Sequence, residues 1–149
     1  MPRWAAVFAP LQAVQQSHRL PISLLDDLLD AFLQDIDKTR AQSVYTDRAQ
    51  LLDYCRRSAN PVGRLLLHLY GVHDDVALAQ SDAICSALQL INFWQDLSVD
   101  LPRGRHYLTD ADCAAHGVDR AQLATLRRTP QSDALIMDCS RWAPALVLE

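Results

Sequence analysis

Four polar residues recur at helical spacing inside an apolar stretch, and their types suit a hard cation. They are Gln89, Asn92, Asp96 and Asp100. At about 100° per residue they fall within roughly 80° of one another, along about 17 Å of helix. Two carboxylates one turn apart repel each other unless a cation lies between them, and Mg²⁺ needs few protein ligands. The stripe therefore predicts a Mg²⁺ site at Asp96 and Asp100, which Gln89 and Asn92 extend with neutral donors and acceptors.

A plainer interpretation of the two acids stays open, namely a solvated face close to a helix end. Two features argue against it. Large apolar residues occupy most other sides of the stripe. The loop that follows supplies cationic and hydroxyl groups at Arg103, Arg105, His106 and Tyr107. A diphosphate bridged by metal to the acids would need such donors on its other side.

The elements that position these residues are predicted to be helices. The chain has only four glycines, and half of its residues are hydrophobic. Apolar residues recur at helical spacing, and Asn60-Pro61 is expected to break one helix. A polar connection is expected over 38–45. Helices are predicted over residues 4–17, 22–37, 46–70, 76–101 and from 132 onwards, with short ones after the N-caps Thr109 and Asp119. The fold class is therefore all-α, with one helical domain over residues 1–149.

Small residues surround the expected break in the third helix. They form a strip at Tyr54, Ser58, Ala59, Val62 and Gly63. Small residues at this spacing allow close approach of another helix. They would equally suit the floor of a groove that admits a long apolar ligand, and the spacing alone leaves both interpretations open.

Composition excludes several function classes. The formal net charge is −4 and no basic tract is present, which argues against a nucleic-acid binder. Four widely spaced cysteines without a ligand pattern predict reduced thiols in a cytoplasmic protein. No apolar run approaches the ~20 residues of a membrane span, although peripheral membrane contact stays open. The absence of a glycine-rich dinucleotide loop argues against reduction by NADPH.

Three stretches in this order carry a family resemblance. Residues 54–65 read YCRRSANPVGRL, residues 82–96 read DAICSALQLINFWQD, and residues 103–108 read RGRHYL. Together they resemble the squalene/phytoene synthases, most closely the bacterial hydroxysqualene synthases of the hopanoid pathway. The resemblance implies an isoprenoid-synthase-type helical bundle in which Mg²⁺ ions bind the substrate diphosphate inside a cavity.

The resemblance also implies roles for individual residues. Asp96 and Asp100 would be the family's second aspartate motif and its metal ligands, while Arg105 and Tyr107 would contact diphosphate. Asp96, Asp100 and Tyr107 are thus the candidate catalytic residues. The remaining substrate-binding candidates are Tyr54, Ser58, Ala59, Val62, Gly63, Gln89 and Asn92. The substrate would be farnesyl, presqualene or geranylgeranyl diphosphate, and the product hydroxysqualene or a C30 or C40 isoprenoid.

One departure from the family pattern concerns the first aspartate motif. Asp26 and Asp30 have a DxxxD spacing but lie in a segment that resembles a later part of the family, so they are interpreted as a solvated outer face together with Asp27 and Asp35. The chain is therefore expected to be the middle part of a synthase domain. Alternatives are an inactive helical remnant, a partner subunit that self-associates through an exposed apolar face, or a plain cation-binding domain.

Overall fold

The computed structural model describes residues 4–148, and all regular secondary structure in that range is helical. The all-α prediction is confirmed. The long helices are α1 (Ala5–Ser17), α2 (Ile22–Ala41), α3 (Arg48–Ser58), α4 (Asn60–Leu69), α5 (Asp75–Gln95) and α9 (Pro130–Ala145). The short ones are α6 (Leu97–Asp100), α7 (Asp110–Ala115) and α8 (Arg120–Ala124), and a 3₁₀ turn at Leu101–Arg103 follows α6.

Side-chain caps start several of these helices. Asp47, Thr109 and Asp119 accept hydrogen bonds from backbone N–H groups of the first turns of α3, α7 and α8. These bonds satisfy donors that a helix start would otherwise leave unpaired. The predicted caps at Thr109 and Asp119 are confirmed, and Asp47 caps α3.

Two predicted helix ends differ from the structure. Helix α2 continues to Ala41, so the connection predicted over 38–45 is wrong for its first four residues. Gln42 ends that helix in the left-handed conformation (φ 47°) that a glycine more often adopts. The helix predicted over 76–101 ends at Gln95, and the chain bends at Asp96 before α6. Neither glycine nor proline marks this bend.

The core lies where α3, α4, α5 and α9 pack together. Its fully buried side chains include Leu51, Leu90, Leu135 and Cys139. Polar groups fix the break between α3 and α4 against α5, because the buried Ser86 hydroxyl donates to Asn60 Oδ1 at 2.9 Å. The predicted interruption at Asn60-Pro61 thus becomes a junction between two helices, centred on Ala59.

Helices α4 and α5 approach each other closely at Gly63. A Cβ atom at this position would lie 2.4 Å from Ser81 Oγ and 2.6 Å from Cys85 Sγ. Arg64 holds the same pair of helices together through a bidentate ion pair with Asp82 (2.6 Å for the shorter contact). Close helix approach, the first interpretation of the small-residue strip, therefore holds at Gly63.

Two helices expose most of their apolar stripe. Helix α1 has no buried residue, and Phe8 is 60% exposed. On α2, Leu29 and Leu33 are each 59% exposed. Phe32 and Ile36 continue this second stripe. No helix within residues 4–148 is long and apolar enough to cross a membrane.

Candidate functional site

An open cleft of about 360 Å³ lies between α2, α3, the end of α5, α6 and the loop after α6. Eight residues predicted from the sequence line it: Tyr54, Ser58, Gln89, Asn92, Asp96, Asp100, Arg105 and Tyr107. The cleft therefore brings together residues from three separate stretches of the chain. Its remaining lining residues are Phe32, Asp35, Phe93, Val99 and Arg103.

The polar stripe survives the bend at Asp96. The N–H of Asp100 still donates to the carbonyl oxygen of Asp96 at 2.9 Å, so the two acids remain one helical turn apart. Only 12% of the Asp100 side chain is exposed, and Arg105 Nη1 lies 3.8 Å from its Oδ1. Burial raises the pKa of Asp100, Arg105 opposes that rise, and the neighbouring Asp96 adds to it. A cation in the cleft would relieve both the burial penalty and the repulsion between the acids.

A wall of aromatic residues faces the cleft beside the acids. The Phe93 and Tyr107 rings stack with centroids 3.7 Å apart and an interplanar angle of 5°. The Tyr54 ring lies 6.0 Å from Phe93 and 6.2 Å from Tyr107. Trp94 Nε1 donates to the carbonyl oxygen of Tyr107 at 3.2 Å, which ties the loop to α5. The position of the Tyr107 ring is therefore set by both side-chain stacking and a backbone contact.

Asp35 binds the two cleft tyrosines from the opposite helix. Tyr54 Oη donates to Asp35 Oδ2 at 2.7 Å, and Tyr107 Oη donates to Asp35 Oδ1 at 3.2 Å. Burial, with the Asp35 charge as a further cause, raises the pKa of both phenols. Both tyrosines therefore stay protonated at neutral pH. The prediction that Asp35 belongs to the solvated outer face is wrong.

The small-residue strip divides between two environments. Ser58 lines the cleft, and its Oγ is buried without a hydrogen-bond partner among the described residues. Ala59 is buried at the junction of α3 and α4, Val62 is half exposed, and Gly63 packs on α5. Only the Tyr54 and Ser58 end of the strip therefore borders the cleft, and a prenyl-channel role for the other three stays a prediction.

The sequence interpretation missed Asp35, although its helical position carried a signal. At about 100° per residue, Asp35 lies roughly 180° around α2 from Asp26, whereas Asp30 lies within about 40° of it. Asp26 and Asp30 are exposed, as predicted. Phe32, Phe93 and Val99 gave no separate signal, because aromatic and apolar residues at helical spacing are also what a core requires.

The donor set of the cleft fits a partial Mg²⁺ site. Among residues 4–148, no group of three or more His, Cys, Asp or Glu side chains could hold a metal ion. Two carboxylates on one turn suit an ion that keeps several water molecules and binds phosphate oxygens. Asp96 and Asp100 would hold it, and the remaining positions would fall to water and to the substrate.

A second groove, of about 400 Å³, lies on the other side of α6. Leu97, Leu101, Leu123 and Ile136 line it, together with further residues of α9 and of the segment between α8 and α9. Although it is slightly larger, it contains none of the predicted site residues. The predicted site residues that share one cavity therefore lie in the cleft.

The whole sequence matches one known protein family. The family model described as squalene/phytoene synthase matches residues 1–149. The chain belongs to the squalene/phytoene synthase family. A hydroxysqualene synthase of Sinorhizobium fredii is 35% identical over 106 residues, which are 70% of this chain and 35% of that protein. A 15-cis-phytoene synthase of Enterobacter agglomerans is 32% identical over 117 residues, which are 78% of this chain and 38% of that protein.

Solved structures of this family share the fold. The squalene synthase HpnC of Alicyclobacillus acidocaldarius superposes with a TM-score of 0.84 at 36% identity, over 93% of this chain and 51% of that one. A dehydrosqualene synthase crystallised with a ligand superposes with a TM-score of 0.74 at 26% identity, over 86% of this chain and 44% of that one. The isoprenoid-synthase-type helical fold is thereby confirmed, and the chain spans about half or less of each of these relatives.

Proposed function

We propose that the chain binds a prenyl diphosphate through Mg²⁺ in the cleft, as part of a synthase that ionises this substrate to build a C30 or C40 isoprenoid or hydroxysqualene. The observation that carries the proposal is the convergence of the acid pair, Arg105 and the aromatic wall on one cleft. An acid pair and a cation suit a metal-bound diphosphate, whereas an aromatic wall suits a hydrocarbon chain.

The charged, polar and apolar residues of the cleft would have different roles in this reaction. Asp96 and Asp100 would hold Mg²⁺, which when bound would neutralise the diphosphate and make it a better leaving group. Arg105 contacts Asp100 only at 3.8 Å, so its guanidinium is free to donate to a diphosphate oxygen. Gln89 and Asn92 continue the polar line with donors for further oxygens or bound water. Phe32, Phe93 and Val99 line the cleft with apolar surface that would shield the reacting carbon from water.

Calorimetric titration of farnesyl S-thiolodiphosphate, with and without Mg²⁺, tests this proposal. The wild-type chain is expected to bind the thiolodiphosphate only when Mg²⁺ is present. The affinity of the Asp96→Asn/Asp100→Asn variant in Mg²⁺ is expected to be at least tenfold lower. The matched control is Asp26→Asn/Asp30→Asn, because this pair has the same spacing on α2 but is exposed. Equal loss in both double variants, or no Mg²⁺ dependence, would overturn the proposal.

The exposed apolar stripes of α1 and α2 favour a second candidate, a non-catalytic helical subunit or remnant. Large exposed apolar patches mark surfaces that bind other proteins. Under this function the chain would self-associate and would bind no thiolodiphosphate at any Mg²⁺ concentration. Sedimentation velocity beside the calorimetry separates the two, because binding of the ligand by the monomer supports the synthase function alone.

A further inference from the structure

Among residues 4–148, the Asp35 carboxylate is the only hydrogen-bond partner of either cleft tyrosine hydroxyl. Its Oδ2 accepts from Tyr54 and its Oδ1 from Tyr107. A carboxylate can only accept, and each phenol has a single proton to donate. Both phenolic protons are therefore committed to Asp35, and the phenolic oxygens keep only lone pairs for any other partner.

No cation in the described part of the chain pairs with Asp35. Lys38, one turn further along α2, donates to the carbonyl oxygen of Val44 at 3.0 Å and lies over the Tyr45 ring at 4.2 Å. Arg57 donates to Gln34 and Asp53. Arg105 lies near Asp100 instead. No described Lys, Arg or His side chain forms an ion pair with Asp35, so the two phenols are the hydrogen-bond partners of its carboxylate.

These contacts give the cleft two sides of different chemistry. The acid pair with Arg105 can bind a metal-bridged diphosphate. The other side presents a carboxylate, two phenolic oxygens that lack a free proton, and the stacked rings of Phe93 and Tyr107. Lone pairs and aromatic faces attract a cation and repel an anion. Tyr107 therefore cannot donate to diphosphate while its hydroxyl bond to Asp35 is intact.

We propose that Asp35 is a positioning residue that holds Tyr54 and Tyr107 as acceptors facing the cleft, so that this wall stabilises the carbocation left by the departing diphosphate. The inference rests on the proposed function for the identity of the ligand. It replaces the expectation that Tyr107 contacts diphosphate. Asp35 acts through the two tyrosines, because replacing it would free a phenolic proton to point into the cleft.

A spectroscopic measurement tests the hydroxyl arrangement without any ligand. Ultraviolet resonance Raman spectra distinguish tyrosine hydroxyls that donate from those that accept. Tyr54→Phe and Tyr107→Phe variants assign the two signals. Asp35→Asn is expected to remove the donor signature from at least one of them, whereas Asp37→Asn, at an exposed position two residues along α2, leaves both unchanged. Unchanged signals in Asp35→Asn would overturn the proposed arrangement.

Calorimetry with two probes tests the consequence for binding. Farnesyl dimethylammonium mimics the carbocation, and farnesyl S-thiolodiphosphate with Mg²⁺ mimics the intact substrate. We expect at least a fivefold loss of affinity for the ammonium probe in each of three variants, Asp35→Asn, Tyr54→Phe and Tyr107→Phe. The affinity of each variant for the thiolodiphosphate is expected to change less than twofold. Tyrosine variants that bind the ammonium probe as tightly as wild type would show that Asp35 acts by charge alone, which overturns the positioning role.

Calorimetry with the two probes distinguishes failure of the proposed function from failure of the positioning role of Asp35. A wild-type chain that binds no thiolodiphosphate would refute the proposed function. The Raman spectra would then still show whether Asp35 holds the two hydroxyls. A wild-type chain that binds both probes, with Asp35→Asn weakening them equally, refutes the positioning role and leaves the proposed function standing.

Discussion

Helices α2 and α5 each carry apolar residues on two faces, one buried in the protein and the other exposed to solvent. On α5, Leu90 is fully buried whereas Leu88, two residues earlier, is 56% exposed. On α2, Ala31 is fully buried whereas Leu29 and Leu33 are each 59% exposed. The apolar pattern shows that a face would gain from being covered, but only the packing shows whether it is.

Truncating a leucine on each face of α5 gives the largest expected contrast. Leu90→Ala should lower the free energy of unfolding by about 2–5 kcal/mol, because it leaves a cavity in a packed core. Leu88→Ala should change it by less than about 0.5 kcal/mol, because its side chain is already half in water. Urea denaturation followed by circular dichroism measures both. Equal losses would mean that the exposed face is covered in solution.

Charging the exposed stripe of α2 tests what covers it. If the stripe drives self-association, Leu29→Glu/Leu33→Glu should shift sedimentation from dimers or larger species toward monomer, with little change in monomer stability. Asp26→Asn/Asp30→Asn, which removes charge from the same helix, serves as the comparison and should not disperse the oligomer. A wild-type chain that sediments as monomer at every concentration would refute the self-association prediction.

Removing one charge of the acid pair in the cleft should have a smaller effect on stability, and this effect should depend on pH. Because burial raises the pKa of Asp100, the folded state binds its proton more tightly than the unfolded state does. The stability linked to this proton is fully present below the unfolded pKa and is lost as pH rises through the raised folded value. Asp100→Asn should therefore raise the melting temperature by roughly 1–2 °C at neutral pH.

That gain should disappear in acid, where wild-type Asp100 is itself protonated. Melting curves collected from pH 3 to pH 7 test the trend, with the exposed Asp30→Asn as the control that should show no comparable gain. A gain of the same size at both ends of the range would show that the aspartate destabilises the fold by something other than its charge.

The sequence predicted much of the helical architecture because helix signals are local. Caps such as Thr109 and Asp119, and the break at Asn60-Pro61, act through residues within one turn of themselves. The two wrong helix ends lacked such a signal. Gln42 adopts a conformation usual for glycine, and the bend at Asp96 contains neither glycine nor proline.

Some residues of the site could likewise be predicted from local sequence, whereas others could not. The sequence by itself determined the helical fold class, the stripe that ends at Asp96 and Asp100, and the basic loop after it, because these features depend on spacing along one element. Only the tertiary structure decided that Asp35 faces the cleft and that Gly63 packs on α5. Both facts depend on which helix lies opposite, and helical periodicity does not specify a helix's neighbours.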